Sequence, residues 1–154
     1  MKLFRNVKFG IFNLIKWFLI VWNDRDWDYY YLCEILRKKL ISMENNYKNY
    51  GMHTKAEEDS KKIKECVMLL NRIIADDYFV NAYKHHDKKW GESKINVNEN
   101  GYLDITYNNV KTEDDEEIRK VEFKNCMEKE NYLMKQDIDY LFDIMKKNLR
   151  KWWD

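Results

Sequence analysis

The sequence predicts a mainly α protein: an antiparallel helical bundle with a long C-terminal helix and one β-hairpin inserted at about residues 93–107. Three observations predict this class. There is no proline and there are only 4 glycines, so few positions force a helix to break. Apolar residues recur at helical spacing over most of the chain, longest over 112–154. Between 93 and 107 the period switches to strict alternation.

With 154 residues, 45% apolar and 36% charged, the chain is long enough for one core and too apolar for a disordered segment. A single helical domain over 1–154 is expected. The net charge of +1 does not imply a strong electrostatic grip on nucleic acid. Aromatic residues reach 16%, with 6 Trp and 11 Tyr. Most are expected to fill a helical core; some could offer a ring face to a ligand.

Residues 1–22 form an amphipathic segment with Phe4, Ile11, Ile15, Phe18, Leu19 and Trp22 on one side. Lys16 interrupts the apolar run and no small-residue cleavage site follows, so a signal peptide is not expected. The charge-free runs are also far shorter than the ~20 residues a membrane span needs. Packing on the core or self-association is preferred; lying on a membrane surface is the alternative. Asp24, Asp26 and Asp28 alternate in the manner of metal ligands. Yet Tyr29 stands where a calcium loop needs Gly, and Ile35 where it needs a bidentate Glu. One of these carboxylates is expected to cap the next helix instead.

Helices 2 to 4 are expected within 26–90. The second, about Trp27 to Asn46, carries a stripe of Trp27, Tyr31, Ile35, Leu36, Leu40 and Met43, and a loop to His53 follows. Thr54-Lys55-Ala56-Glu57 reads as a capping box opening a third helix to about Ala75, with Ile63, Cys66, Val67, Leu70, Ile73 and Ile74 inward. These two should form an antiparallel hairpin. Asp76 or Asp77 opens a fourth helix carrying Tyr78, Phe79, Ala82, Tyr83, His86 and Trp90, closed by Gly91. Ile95 and Val97, then Leu103, Ile105 and Tyr107, alternate with polar residues across an Asn98-Glu99-Asn100-Gly101 turn. A hairpin alone is marginal, so it must lean on the helices or on another chain. Thr112 is the expected N-cap of the last helix, over 112–154, with the acids of 113–117 at its positive end. Its expected stripe is Ile118, Val121, Met127, Met134, Ile138, Leu141, Met145, Leu149 and Trp152. Such a helix is longer than a small bundle needs, which points to a homo-oligomer.

Two places could hold a ligand. Lys84, His85 and Lys88 share one face of the fourth helix, followed by Lys89 and Trp90. Cations beside an aromatic ring could take an anionic ligand, although the helix dipole favours cations there without one, with His86 and Trp90 packed inward. Arg150, Lys151 and Trp152 repeat the combination near the end of the sequence. Adjacent histidines point about 100° apart on a helix, so His85 and His86 cannot chelate one metal. No zinc set, phosphate loop or acid/base pair is seen; Asp139 and Asp143 share a face but have ordinary lysine partners. Cys33, Cys66 and Cys126 are odd in number, widely spaced and flanked by apolar residues. They read as reduced core thiols with no activating charge beside them. No metal, cofactor or catalytic residue is assigned.

Several segments resemble a family of tailed-bacteriophage and prophage proteins: Trp22-Asn23-Asp24-Arg25-Asp26-Trp27-Asp28-Tyr29-Tyr30-Tyr31, Glu34-Ile35-Leu36 with Lys39-Leu40, Lys84-His85 with Lys89-Trp90-Gly91, and Trp152-Trp153-Asp154. The resemblance spans nearly the whole chain. It carries no active site, so no catalytic role transfers. It implies a small phage protein acting in a host bacterial cytoplasm. The expectation is a non-enzymatic accessory protein that binds a host factor or a small anionic nucleotide and so antagonises antiviral defence. The alternatives are a phage assembly or replication-associated protein and, last, a nucleotide hydrolase using His85 or His86.

Overall fold

A computed structural model describes residues 2–51 and 54–153. The loop at His53 and the terminal Asp154 of the Trp-Trp-Asp motif lie outside the described residues, as does the side chain of Trp153. The fold is mainly α with one hairpin. The elements are α1 (Lys2–Asn23), α2 (Tyr29–Tyr50), α3 (Ala56–Ala75), α4 (Tyr78–Trp90), β1 (Ser93–Val97), β2 (Leu103–Tyr107) and α5 (Glu113–Asn148), followed by a short 3-10 turn over Lys151–Trp153. The chain divides into two compact units, 1–75 with 141–154, and 76–140.

In the first unit, α2 and α3 form the expected antiparallel pair: Arg37 donates to the Asn71 side chain at 3.0 Å, and Gly51 lies against Ala56 at the other end. Asp28 caps α2 by accepting from the Tyr30 N–H at 2.9 Å, which leaves Trp27 outside the helix and exposed. The α3 capping box falls one residue early. Asp59 N–H donates to the Lys55 carbonyl, so Lys55 rather than Thr54 opens the helix. Five of the six residues expected inward on α3 are buried, with Ile74 half-buried. Leu40 of α2 and Leu141, Ile144 and Trp152 are buried in this unit too. The outcome for α1 differs from the preferred expectation. Phe4, Ile11, Ile15, Phe18, Leu19 and Trp22 are all exposed, and none of the described α1 side chains is buried.

In the second unit, α4 turns Tyr78, Ala82, Tyr83, His86 and Trp90 inward. Gly91 ends it at φ +76, a conformation that other residues adopt only with strain. The hairpin pairs Ile95 with Ile105 and Val97 with Leu103. Its turn is held by the Asn98 carboxamide, which accepts from the Asn100 and Tyr102 N–H groups. All four apolar residues share one face and are more than half exposed; the hairpin leans on the helices at its end through Tyr107, whose ring lies against His86 of α4 and under Arg119 of α5. Asn109 ties the exit to α4, its backbone and side-chain amides donating to the Trp90 and Lys89 carbonyls.

Thr112 caps α5 as expected: its hydroxyl accepts from Asp115 N–H, while the Asp115 carboxylate accepts from the N–H groups of Lys111 and Thr112. Over 118–127 the inward side of α5 is not the expected stripe, while Met134 and Ile138 are half-buried and Leu141 is buried as expected. Ile118, Val121 and Met127 are exposed, while Arg119 and Asp137 are buried and Phe123 and Cys126 half-buried. Polar side chains win these positions because α4 and the hairpin supply them with partners.

Candidate functional site

The fourth helix sorts its cations by side. Lys84, His85 and Lys88 are exposed, and no carboxylate of the described residues pairs with them. Lys84 and Lys88 stand one turn apart, a like-charge spacing that costs a few tenths of a kcal/mol on a helix, ~0.2–0.5. Lys89 turns the other way. Its ammonium binds the Glu122 carboxylate and sits 4.5 Å from the centre of the Trp90 ring. Trp90 is only 4% exposed, and its indole N–H donates to the second Glu122 oxygen at 2.7 Å. Those two hydrogen bonds, from Lys89 and then Trp90, hold the Glu122 carboxyl below the usual carboxylate range. Lys89 and Trp90 are thus occupied within the fold, and Trp90 offers no free face to a ligand.

His86 is 3% exposed, walled edge-on by Tyr83, Tyr107 and Phe123 at 6.1, 5.6 and 5.6 Å between ring centres. Its Nδ1 lies 3.3 Å from Asp87, and its Nε2 has no hydrogen-bond partner among the described residues. Beyond Tyr107, the Arg119 guanidinium lies 4.5 Å over that ring and donates twice to Glu116, at 2.9 and 2.7 Å. This is an aromatic core with polar clamps.

Arg150, Lys151 and Trp152 fall in the other unit. Trp152 is 2% exposed, a core residue, so it too presents no face. Lys151 is exposed. Arg150 borders a groove of about 550 Å³ whose other walls are Leu36, Lys39, Leu40, Met43, Met145 and Leu149. Neither Lys39 nor Arg150 is paired with a carboxylate among the described residues. Apolar walls with two cations at the border suit an anionic ligand that also has an apolar or ring part. The sequence reading found Arg150 but not Lys39, which sits at the edge of the α2 stripe. Only the pairing of α2 with the last turns of α5 brings the two together, and no sequence spacing signals that.

Among the described residues no group of three His, Cys, Asp or Glu side chains could hold a metal ion. The thiols show no activation. Burial pushes Cys66 up to about 11, and Cys33 and Cys126 are raised chiefly by burial as well. No family model, curated protein or solved structure matches the chain.

Proposed function

We infer that the chain is a non-enzymatic accessory protein of a tailed phage, acting in the host cytoplasm by capturing a small anionic nucleotide. The single observation that supports this reading is the groove between α2 and the end of α5. It joins two uncompensated cations, Lys39 and Arg150, to walls of Leu36, Met43, Met145 and Leu149. Its volume of about 550 Å³ falls in the range of small-molecule sites, roughly 300–1,000 Å³. A base or other flat apolar part would lie on the walls. A phosphate would meet the two cations, the guanidinium in two-pronged fashion. Lys84, His85 and Lys88 form a separate, convex cationic face, suited to a secondary electrostatic role.

Calorimetry with adenine nucleotides and cyclic dinucleotides tests the reading. Binding is expected for at least one of them, with affinity reduced about tenfold or more in Lys39→Glu and in Arg150→Glu. Lys84→Glu/Lys88→Glu should bind nearly as the unaltered chain does. Absence of heat from every nucleotide, or equal affinity in Lys39→Glu and Arg150→Glu, would sink it.

A second reading, assembly with other phage proteins, is favoured by one feature of 76–140. The hairpin face of Ile95, Val97, Leu103 and Ile105 is open to solvent. Mass spectrometry of purified virions separates the two readings. Stoichiometric presence of the chain supports assembly, and absence leaves ligand capture.

A further inference from the structure

We propose that α1 is an interfacial helix that lays its apolar side on an anionic lipid surface, a property independent of the ligand groove. Over Lys2–Asn23 the helix carries Lys2, Arg5, Lys8 and Lys16 and neither Asp nor Glu. Phe4, Ile11, Leu14, Phe18 and Trp22 are between 55 and 80% exposed. At about 100° per residue these five project within an arc of roughly 80°.

The side that touches the rest of the unit is a different one. Among the described side chains of α1, Lys16, Trp17 and Ile20 are the half-buried ones. At the same rotation, about 100° per residue, Lys16 and Ile20 lie opposite Phe18. There the Lys38 ammonium of α2 donates to the Lys16 carbonyl and stands 5.6 Å from the centre of the Trp17 ring. The unit therefore holds α1 by the side of Lys16, Trp17 and Ile20 and turns the arc of Phe4, Ile11, Leu14, Phe18 and Trp22 outward. Packing on a core would orient it the other way.

Charge decides what covers that side. A second copy of α1 would bring the same four cations and no carboxylate. Anionic headgroups supply the missing counter-charge, at about 1 kcal/mol for each Lys or Arg near the surface. Lys8 borders the apolar arc and Arg5 lies beyond it, placed to reach headgroups from a helix lying in the interfacial plane. Trp22 sits at the end of the arc, as ring side chains do at the level of the headgroups. Asp24, Asp26 and Asp28 follow at once and would be repelled, which ends the contact at Trp22. Among the described residues no helix is long and apolar enough to cross a membrane, and four charges in α1 suit a helix that lies flat.

Flotation of the full chain tests this. Vesicles of phosphatidylglycerol and phosphatidylcholine in equal parts should carry the protein upward, and phosphatidylcholine alone should not. About 0.5 M NaCl should weaken flotation strongly, because it screens headgroup attraction. Arg5→Glu/Lys8→Glu should lower partitioning at least about 30-fold. Leu14→Gln/Phe18→Gln should abolish it, both variants keeping the far-UV circular dichroism of the unaltered chain since all four side chains are exposed. Recovery of the unaltered chain in the bottom fraction with both vesicle types would overturn the proposal. So would equal flotation on neutral vesicles. A dimer that Leu14→Gln/Phe18→Gln dissociates, without vesicle binding, would give the face to a second copy and overturn it too.

Discussion

The two units are built from different materials. The unit of 1–75 with 141–154 buries chiefly aliphatic side chains, Leu40, Ile63, Leu70, Ile73, Leu141 and Ile144 around Trp152, with Asp59 as a charged exception. The unit of 76–140 buries rings and charges: Tyr78, Tyr83, His86 and Trp90 with Arg119 and Asp137. An aliphatic core is held by burial alone, which is roughly proportional to area and indifferent to direction. A core of rings and charges is held only while each polar atom keeps its partner, because an unmet buried polar group costs more than a met one contributes. The first should tolerate shape-conserving changes and fail on truncation. The second should fail when one oxygen or one proton is moved.

Truncation in the aliphatic core should give the largest effect. Leu70 is fully buried on α3, and Leu70→Ala is expected to cost about 2–5 kcal/mol, read as a lower urea midpoint by far-UV circular dichroism. A loss below about 1 kcal/mol would mean that the pair α2–α3 does not carry this unit. The matching change in the other unit removes one oxygen and almost no volume. Tyr78 donates to Asp137 at 2.5 Å, and both are buried. Tyr78→Phe should cost about 1–3 kcal/mol, the range for a buried acceptor that loses a donor. If it is neutral while Phe123→Ala is severe, the second unit is held by its rings, and the contrast between the two cores fails.

The same contrast explains what the sequence made legible. The stripe of α3 was readable because Ile63, Cys66, Val67, Leu70 and Ile73 are apolar at helical spacing and nothing else competes for that side. On α5 the pattern misled over 118–127. Ile118, Val121 and Met127 look like a core stripe, whereas Arg119 and Glu122 look like surface. The burial of Arg119 and the partial burial of Glu122 depend on Tyr107 and Trp90, partners that arrive from the hairpin and from α4. Such partners are long-range and leave no local period. The caps at Asp28 and Thr112 and the turn at Asn98 were readable because each is a contact within four residues. For the candidate site, the cations were legible as a composition, and their sorting into paired and unpaired ones was not.

Acid should act unequally on the two units, with a smaller effect. Glu116, Glu122 and Asp115, all in 76–140, are held below the ordinary carboxylate range. The chief causes are the Arg119 hydrogen bonds for Glu116, the Lys89 and then Trp90 bonds for Glu122, and the Lys111 and Thr112 bonds for Asp115. A carboxyl lowered by folding stabilises the fold above its unfolded value, roughly 4. That contribution is lost as pH falls through the folded value. In the first unit Glu57 is lowered as well, by Lys61, but on an open surface where solvent screens the pair. Near-UV circular dichroism from the rings of 76–140 should therefore fade below about pH 4. Glu116→Gln together with Glu122→Gln should flatten that dependence. A near-UV signal unchanged down to about pH 2 would show that these clamps contribute nothing.

The smallest expected effect separates patterning from burial inside one unit. Ile15 of α1 and Leu70 of α3 belong to helices with equally well segregated apolar sides, and both helices contain only residues compatible with a helix interior apart from Gly10. Leu70 is enclosed and Ile15 is 72% exposed. Ile15→Ala removes the same kind of side chain, yet little contact is lost, and Ala is the better helix former. The change in unfolding free energy should stay within about 0.5 kcal/mol. Measured by urea titration at two protein concentrations, a loss near that of Leu70→Ala would show that this face is covered in solution. Concentration dependence of the loss would then identify the cover as a second copy. A null result at both concentrations, alongside a large cost for Leu70→Ala, would establish that the side of α1 facing outward does not contribute to folding.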